Sequence, residues 1–270
     1  MKKISKFCKL MLGVSSACFA GGIAAAYVNS TAIVNNKTQA LNNTKNDNVQ
    51  TKEIDAKLIG ADEGKVTIEY TNPSECKIIS CSDFRATGDY DFNRGKFSLN
   101  GVQYIITEIG DNAFHPGYFD KFFVECNLTI PSTIKKIGDR AFYGNSRTWD
   151  LSDKEIIGLN FEEGIEDIGK EAFYKCNNLQ SNKLVLPNSL QHIGNNAFAE
   201  IFWSSVRELD LSALDHVINI DAGPFSKDGC LYNSAWIMID KIWLKDETTK
   251  EKYCRDKHWS SVAKYFLLKD

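Results

Sequence analysis

With 270 residues, of which 43% are apolar and 25% charged, the chain has the composition of a globular protein of one or two domains. Its formal net charge of -3 and pI of about 5.9 give no electrostatic reason to expect nucleic-acid binding, which calls for a clustered basic surface. Eight cysteines, none in a C-x-x-C pair, are too sparse for a disulfide scaffold, and they give no zinc-ligand spacing.

Residues 1–28 read as an address. Lys2, Lys3, Lys6 and Lys9 precede an uncharged run from Leu10 to Val28, with Ala24-Ala25-Ala26 as an A-x-A cleavage pattern. A cleaved signal, an uncleaved anchor and lipidation at Cys18 all fit. Each leaves the lysines inside and sends the remaining chain out, so membrane contact is expected only through this segment. Residues 29–57 are rich in Asn, Thr, Lys and Gln and poor in large apolar side chains, which predicts an unstructured tether.

Residues 58–100 predict a small β-rich N-terminal cap. Val66 to Tyr70 alternates, Thr71-Asn72-Pro73-Ser74 is a turn signal, and Asn100-Gly101 between strand-prone runs predicts a two-residue hairpin loop.

Residues 101–240 are repetitive. Ile109-Gly110-Asp111-Asn112-Ala113-Phe114 returns at Ile137 to Phe142, Ile168 to Phe173 and Ile193 to Phe198, and a decayed copy runs from Ile220 to Phe225. The phenylalanines are 28, 31, 25 and 27 residues apart. Self-similarity at such a period marks a solenoid whose units bury their apolar faces only against each other. In the best-formed copy, Leu184 and Leu186 face one side of a short strand that Pro187 ends. Leu190 and Ile193 point inward from a second strand, Gly194 permits a bend, and Asn195-Asn196 is expected to open a short helical turn delivering Ala197 and Phe198 to the core. The expected core is thus Ile109, Phe114, Ile137, Phe142, Ile168, Phe173, Ile193 and Phe198. Cys126 and Cys176 are expected in it as small apolar residues. Residues 241–270, with Tyr253, Trp259, Val262 and Phe266 on one face, predict a C-terminal capping helix.

This pattern resembles the BspA-type leucine-rich repeat family. The resemblance implies a leucine-rich repeat solenoid of short parallel strands and short helical turns, in a surface or secreted protein that binds other proteins without catalysis or cofactor. The intervals here exceed that family's unit of about 23 residues, so loops are inserted after the second and fourth copies, and the fifth copy lacks the glycine.

No H-E-x-x-H, G-x-S-x-G, P-loop or G-x-G-x-x-G pattern is present, and no histidine has a second ligand at metal spacing. His192 shares its slot with Glu108, Lys136 and Asp167, which reads as a solvated position. Outward strand positions Thr129, Asn160, Val185 and Asp210, and the inserts carrying Arg147, Trp149 and Trp203, are the expected partner contacts, since Trp and Arg dominate interface energies. The expectation is an extracellular protein partner reached by adhesion or recognition. The rivals are a self-assembling envelope component and an envelope hydrolase.

Overall fold

The computed structural model describes residues 49–72, 74–115, 122–144, 156–176, 178–201, 206–232 and 239–269. The address segment, most of the expected tether, Arg147, Trp149 and Trp203 lie outside the described residues.

The tether ends before Lys57. Gln50–Asp55 is a strand, β1, antiparallel to β2 (Glu63–Asn72), and a 3-10 turn follows at Ala56–Ile59. Within β1 only Ile54 is buried. The strand is therefore held by its backbone ladder to β2, which a reading of side-chain composition misses. After β2, the Asn72 carboxamide accepts from the N–H groups of Ser74 and Glu75 at 3.0 and 3.1 Å, closing the turn into β3 (Glu75–Tyr90).

β3 runs along two faces of the molecule. Its start, from Glu75 to Ile78, pairs in parallel with β5 (Val102–Ile109), and its end, from Ala86 to Tyr90, pairs in parallel with β6 (Phe123–Ile130). Between them β4 (Lys96–Leu99) forms the expected hairpin with β5. Leu99 opposes Val102, and Asn100 and Gly101 sit at φ 52° and 81°. The turn Phe92–Gly95 that enters β4 is left-handed, with φ of 56°, 53°, 54° and 70°. Each non-glycine residue held there costs roughly 1–2 kcal/mol. Arg94→Gly is accordingly expected to raise stability by up to about 1 kcal/mol once glycine's greater unfolded-state entropy is subtracted, read as a higher urea midpoint at unchanged slope.

From β5 onward each coil repeats the same course. The short strands β7 (Lys136–Ile137), β9 (Asp167–Ile168), β11 (His192–Ile193) and β13 (Asn219–Ile220) continue from β5 as one parallel ladder. Its inner side is a column of isoleucines in register: Ile78, Ile109, Ile137, Ile168, Ile193 and Ile220. On another face β6 pairs with β8 (Ile156–Phe161), and a second parallel sheet joins β10 (Lys183–Val185), β12 (Glu208–Asp210), β14 (Lys241–Leu244) and β15 (Phe266–Leu268).

The expected helical turn after Ile-Gly is absent. In its place the chain makes consecutive tight turns: Ala113 N–H donates to Gly110 O and His115 N–H to Asn112 O, at 3.2 and 3.1 Å. The second residue of the linker is left-handed in each of the four full copies, with φ near 56° at Asn112, Arg140, Glu171 and Asn196. The physical cause is the neighbouring coil. Phe114 N–H donates to Ala141 O, Phe142 N–H to Ala172 O and Phe173 N–H to Ala197 O, each at 2.8 Å, so the N–H groups point along the stack and not along a helix axis. The Asp111 carboxylate also accepts from Asp139 N–H, and the Asp139 carboxylate from Lys170 N–H, at 2.9 and 2.8 Å.

These turns deliver a stack of phenylalanines to the centre. Phe114, Phe142, Phe173 and Phe198 lie with ring centroids 5.3, 5.0 and 5.4 Å apart and nearly parallel planes. All eight core isoleucines and phenylalanines expected from the repeats are buried, as are Cys126 and Cys176. The six described cysteines are all free thiols.

The fifth copy differs from the expected one. Ile220 keeps its place, but Phe225 is only partly buried, against Tyr265. Phe198 N–H donates to Cys230 O, and Glu200 N–H to Tyr232 O. Cys230 and Leu231, both buried, therefore fill the Ala and Phe slots after a nine-residue excursion (221–229). The boundary expected at residue 241 also cuts a coil, because β14 pairs with β12 in the repeat sheet. Helix α1 (Glu247–Arg255) follows, with Asp246 capping it through Thr249 N–H at 2.7 Å, and then a 3-10 helix, Trp259–Tyr265. Ile218 N–H donates to the Tyr253 hydroxyl and Trp259 Nε1 donates to Ile218 O, at 3.3 and 2.9 Å. The closing elements thus satisfy backbone groups beside β13.

Candidate functional site

Strand alternation sends every second long-strand side chain outward, and register aligns these into rows. On the first coils the row Asp89, Asn127 and the row Thr129, Asn160 line an open cleft of about 780 Å³ beneath the left-handed turn that carries Arg94. On the later coils the rows are Lys183, Glu208, Lys241 and Val185, Asp210, Trp243, Leu267.

Trp243 is the centre of this second patch. Its Nε1–H donates to Glu208 Oε2 at 2.7 Å, and the ammonium groups of Lys183 and Lys241 each lie 5.6 Å from its ring centroid. The Trp243 hydrogen bond, with those of Lys241, holds the Glu208 carboxyl below its usual range despite some desolvation. Leu267 neighbours the indole in register and Val185 lies two strands away in the same row, at 40% and 49% exposure. Asp210 shares the outward row yet is only 2% exposed, which corrects its expected role as a partner contact. Lys183 and Lys269 reach its Oδ2 at 3.4 and 3.1 Å, and the Ser212 hydroxyl donates to its Oδ1. Burial raises the Asp210 carboxyl and these bonds outweigh it, leaving a net fall. It is a structural anion beneath the patch.

The short-strand face carries a charge ladder of alternating sign. Lys77 pairs with Glu108 at 2.8 Å, Lys136 with Asp167 at 3.7 Å, and His192 bridges Asp167 at 2.7 Å and Asp221 at 3.4 Å. His192 is thus a half-buried member of an ion network and not a solvated filler. Partial burial lowers its pKa, but the bonds to Asp167 and Asp221 raise it more. A histidine raised in the folded state stabilises fully below its unfolded value of about 6.5, and loses that contribution as pH climbs through the folded value. His192→Asn should therefore destabilise by up to about 1 kcal/mol near pH 5.5 and by much less at pH 8. Urea midpoints of both proteins at the two pH values check this.

Three of the described thiols are poor nucleophiles. Burial pushes Cys76, Cys126 and Cys230 up to about 12. No three His, Cys, Asp or Glu side chains converge as metal ligands among the described residues, and none of their helices is long and apolar enough to cross a membrane.

The repeat geometry agrees with the match to known families. The profile described as BspA type Leucine rich repeat region matches residues 89–226 in six copies. The chain belongs to this family. The column of six stacked isoleucines accounts for the coils, and the BspA-type unit here is the pair of strands with its Ile-Gly-x-x-Ala-Phe turn. The chain is similar to a leucine-rich repeat protein from Bacteroides ovatus ATCC 8483, with 19% identity, 67% of this chain and 46% of that one covered, and a TM-score of 0.41. It is also similar to a leucine rich cell surface protein from Faecalibacterium prausnitzii A2-165, with 15% identity, coverage of 67% and 53%, and a TM-score of 0.35. It thus spans about half the length of each. No curated protein matches.

Of the residues expected to contact a partner, the BspA-type sheet places Thr129 and Asn160 in the polar cleft and Val185 in the tryptophan patch. Trp243, Leu267 and Arg94 went unremarked as contacts. For Trp243 a signal existed: it alternates with Ile242 and Leu244, both buried, so it must face out.

Proposed function

We propose that the chain is a non-catalytic, surface-exposed or secreted protein that binds another protein through the outward side of its later long strands. The observation that carries this is the row Val185, Trp243, Leu267. It is a partly exposed indole, fixed by one hydrogen bond, with exposed Leu267 beside it in register, exposed Val185 two strands away in the same row, and lysines at its rim. Such an anchor loses little freedom on binding and has the chemistry of an interface hot spot. In this reading Arg147, Trp149 and Trp203 extend the surface from the inserted loops. The β1–β2 ladder and the closing helices cap the stack, while residues 1–28 export the repeats and the chain from residue 29 to β1 holds them away from the membrane.

The test is capture of partners from extracellular extract by the full chain beside Trp243→Ala and Val185→Asp variants of unchanged melting behaviour. Removing an interface tryptophan costs roughly 2 kcal/mol or more, about thirtyfold in affinity. Equal capture by all three proteins would remove this face from consideration.

A further inference from the structure

The cleft on the first coils is built unlike the tryptophan patch, and it does not depend on that patch for its reading. We propose that it binds an acidic oligosaccharide, with sugar hydroxyls held by Thr129 and Asn160 and a sugar carboxylate by Arg94 and Lys96.

Its volume, about 780 Å³, falls within the range of roughly 300–1,000 Å³ found for small-ligand sites. Its lining is polar throughout apart from Tyr90, whose ring is buried against Phe92 and Phe123. A peptide would find no apolar pocket for an anchoring side chain, whereas a sugar presents hydroxyls that match amides and carboxylates. Three carboxylates, Asp89, Asp91 and Glu162, share the cleft with the two cations and keep their charge, but neutral donors hold each in place and none is paired with the charged groups of Arg94 or Lys96. Asp89 accepts from Asn127 Nδ2 at 2.9 Å, Asp91 from Arg94 N–H at 3.2 Å, and Glu162 from Ser132 N–H at 2.9 Å. By contrast, the side chains of Arg94, Lys96, Thr129 and Asn160 have no hydrogen bond or ion pair among the described residues. The unspent capacity is two cations, an amide and a hydroxyl.

The backbone adds an independent observation. Arg94 occupies a left-handed conformation, φ 54°, between Asn93 at 53° and Gly95 at 70°. Asn93 Nδ2 donates to Lys96 O at 2.8 Å and locks the turn. Strain of this kind, fixed by local bonds and placed beside a cleft, is a mark of functional sites. Here it lets the turn stand over the sheet with Arg94 on the cleft wall. A guanidinium suits a carboxylate there because it can bind it with two parallel N–H donors.

Titration calorimetry with the full chain would use uronic-acid hexasaccharides from hyaluronan, alginate and polygalacturonate as probes. The neutral hexamer of N-acetylglucosamine and hexaglutamate serve as comparisons. Saturable binding of at least one uronic-acid probe is expected, weakened about tenfold or more by Arg94→Ala. Asn160→Ala, a substitution at an exposed strand position, should weaken it too, and supplies the test if the Arg94 variant misfolds. Partner capture through Trp243 should be unaffected by either, so the two surfaces stand or fall separately. Absence of binding by all three probes, equal binding of the neutral hexamer or of hexaglutamate, or indifference to both substitutions would overturn the proposal.

Discussion

Phe142→Ala is expected to cost about 3–5 kcal/mol and to lower the urea midpoint more than truncation of Phe198 at the end of the stack. Its ring is fully buried and stacks on Phe114 at 5.3 Å and Phe173 at 5.0 Å, so its removal takes a partner from both neighbours. Phe123 also packs on it, with centroids 5.9 Å apart. The backbone cannot collapse into the space, because Phe142 N–H is bonded to Ala172 O and Phe114 N–H to Ala141 O at ladder distance. Phe198→Ala has a stacked neighbour on one side and should cost less, and the two urea midpoints compare them directly.

Gly138→Ala should destabilise by about 1–3 kcal/mol although it adds one methyl group. A Cβ at Gly138 would lie 2.6 Å from Asp111 N and 2.8 Å from the Gly110 carbonyl carbon, both backbone atoms of the preceding coil. Neither can rotate away. Moving the coil instead would stretch the bonds from Gly138 N–H to Ile109 O and from Asp139 N–H to the Asp111 carboxylate, at 2.7 and 2.9 Å. Gly169 and Gly194 meet the same backbone one and two coils on. Gly223→Ala is the control: its nearest neighbour would be Ser261 Oγ at 3.6 Å, and a change within about 0.5 kcal/mol is expected in a thermal or urea melt.

These two residues also mark where the sequence could be read. Ile, Gly, Ala and Phe recur because each coil must bury the same column and approach its neighbour equally closely, so the spacing of the phrase is itself the stacking rule. The Asn100-Gly101 hairpin was legible for a similar reason, since only a few residues tolerate two consecutive positive φ values. What could not be read is what bonds between coils decide. The linker after Ile-Gly holds Asn in two copies but Arg140 and Glu171 in the others, and nothing local to those residues announces a left-handed backbone. Inter-coil bonds hold them in it. Likewise Cys230 and Leu231 show no Ala-Phe spelling, and they take that place because a fifth coil must still receive Phe198 N–H. The candidate site was half legible. Alternation identified Thr129, Asn160 and Val185 as outward, but Asp210 was misjudged because Lys269, 59 residues later, returns to cover it.

Hydroxyl-radical footprinting of the full chain, with and without a captured protein partner, tests the binding face most directly. Trp243 is the informative probe, and Tyr174 and His192, on other faces of the coils, are internal controls. Protection of Trp243 on complex formation, with the two controls unchanged, is the predicted result. Protection of Tyr174 or His192 with Trp243 oxidised at its free rate would place the partner elsewhere and contradict the proposed surface.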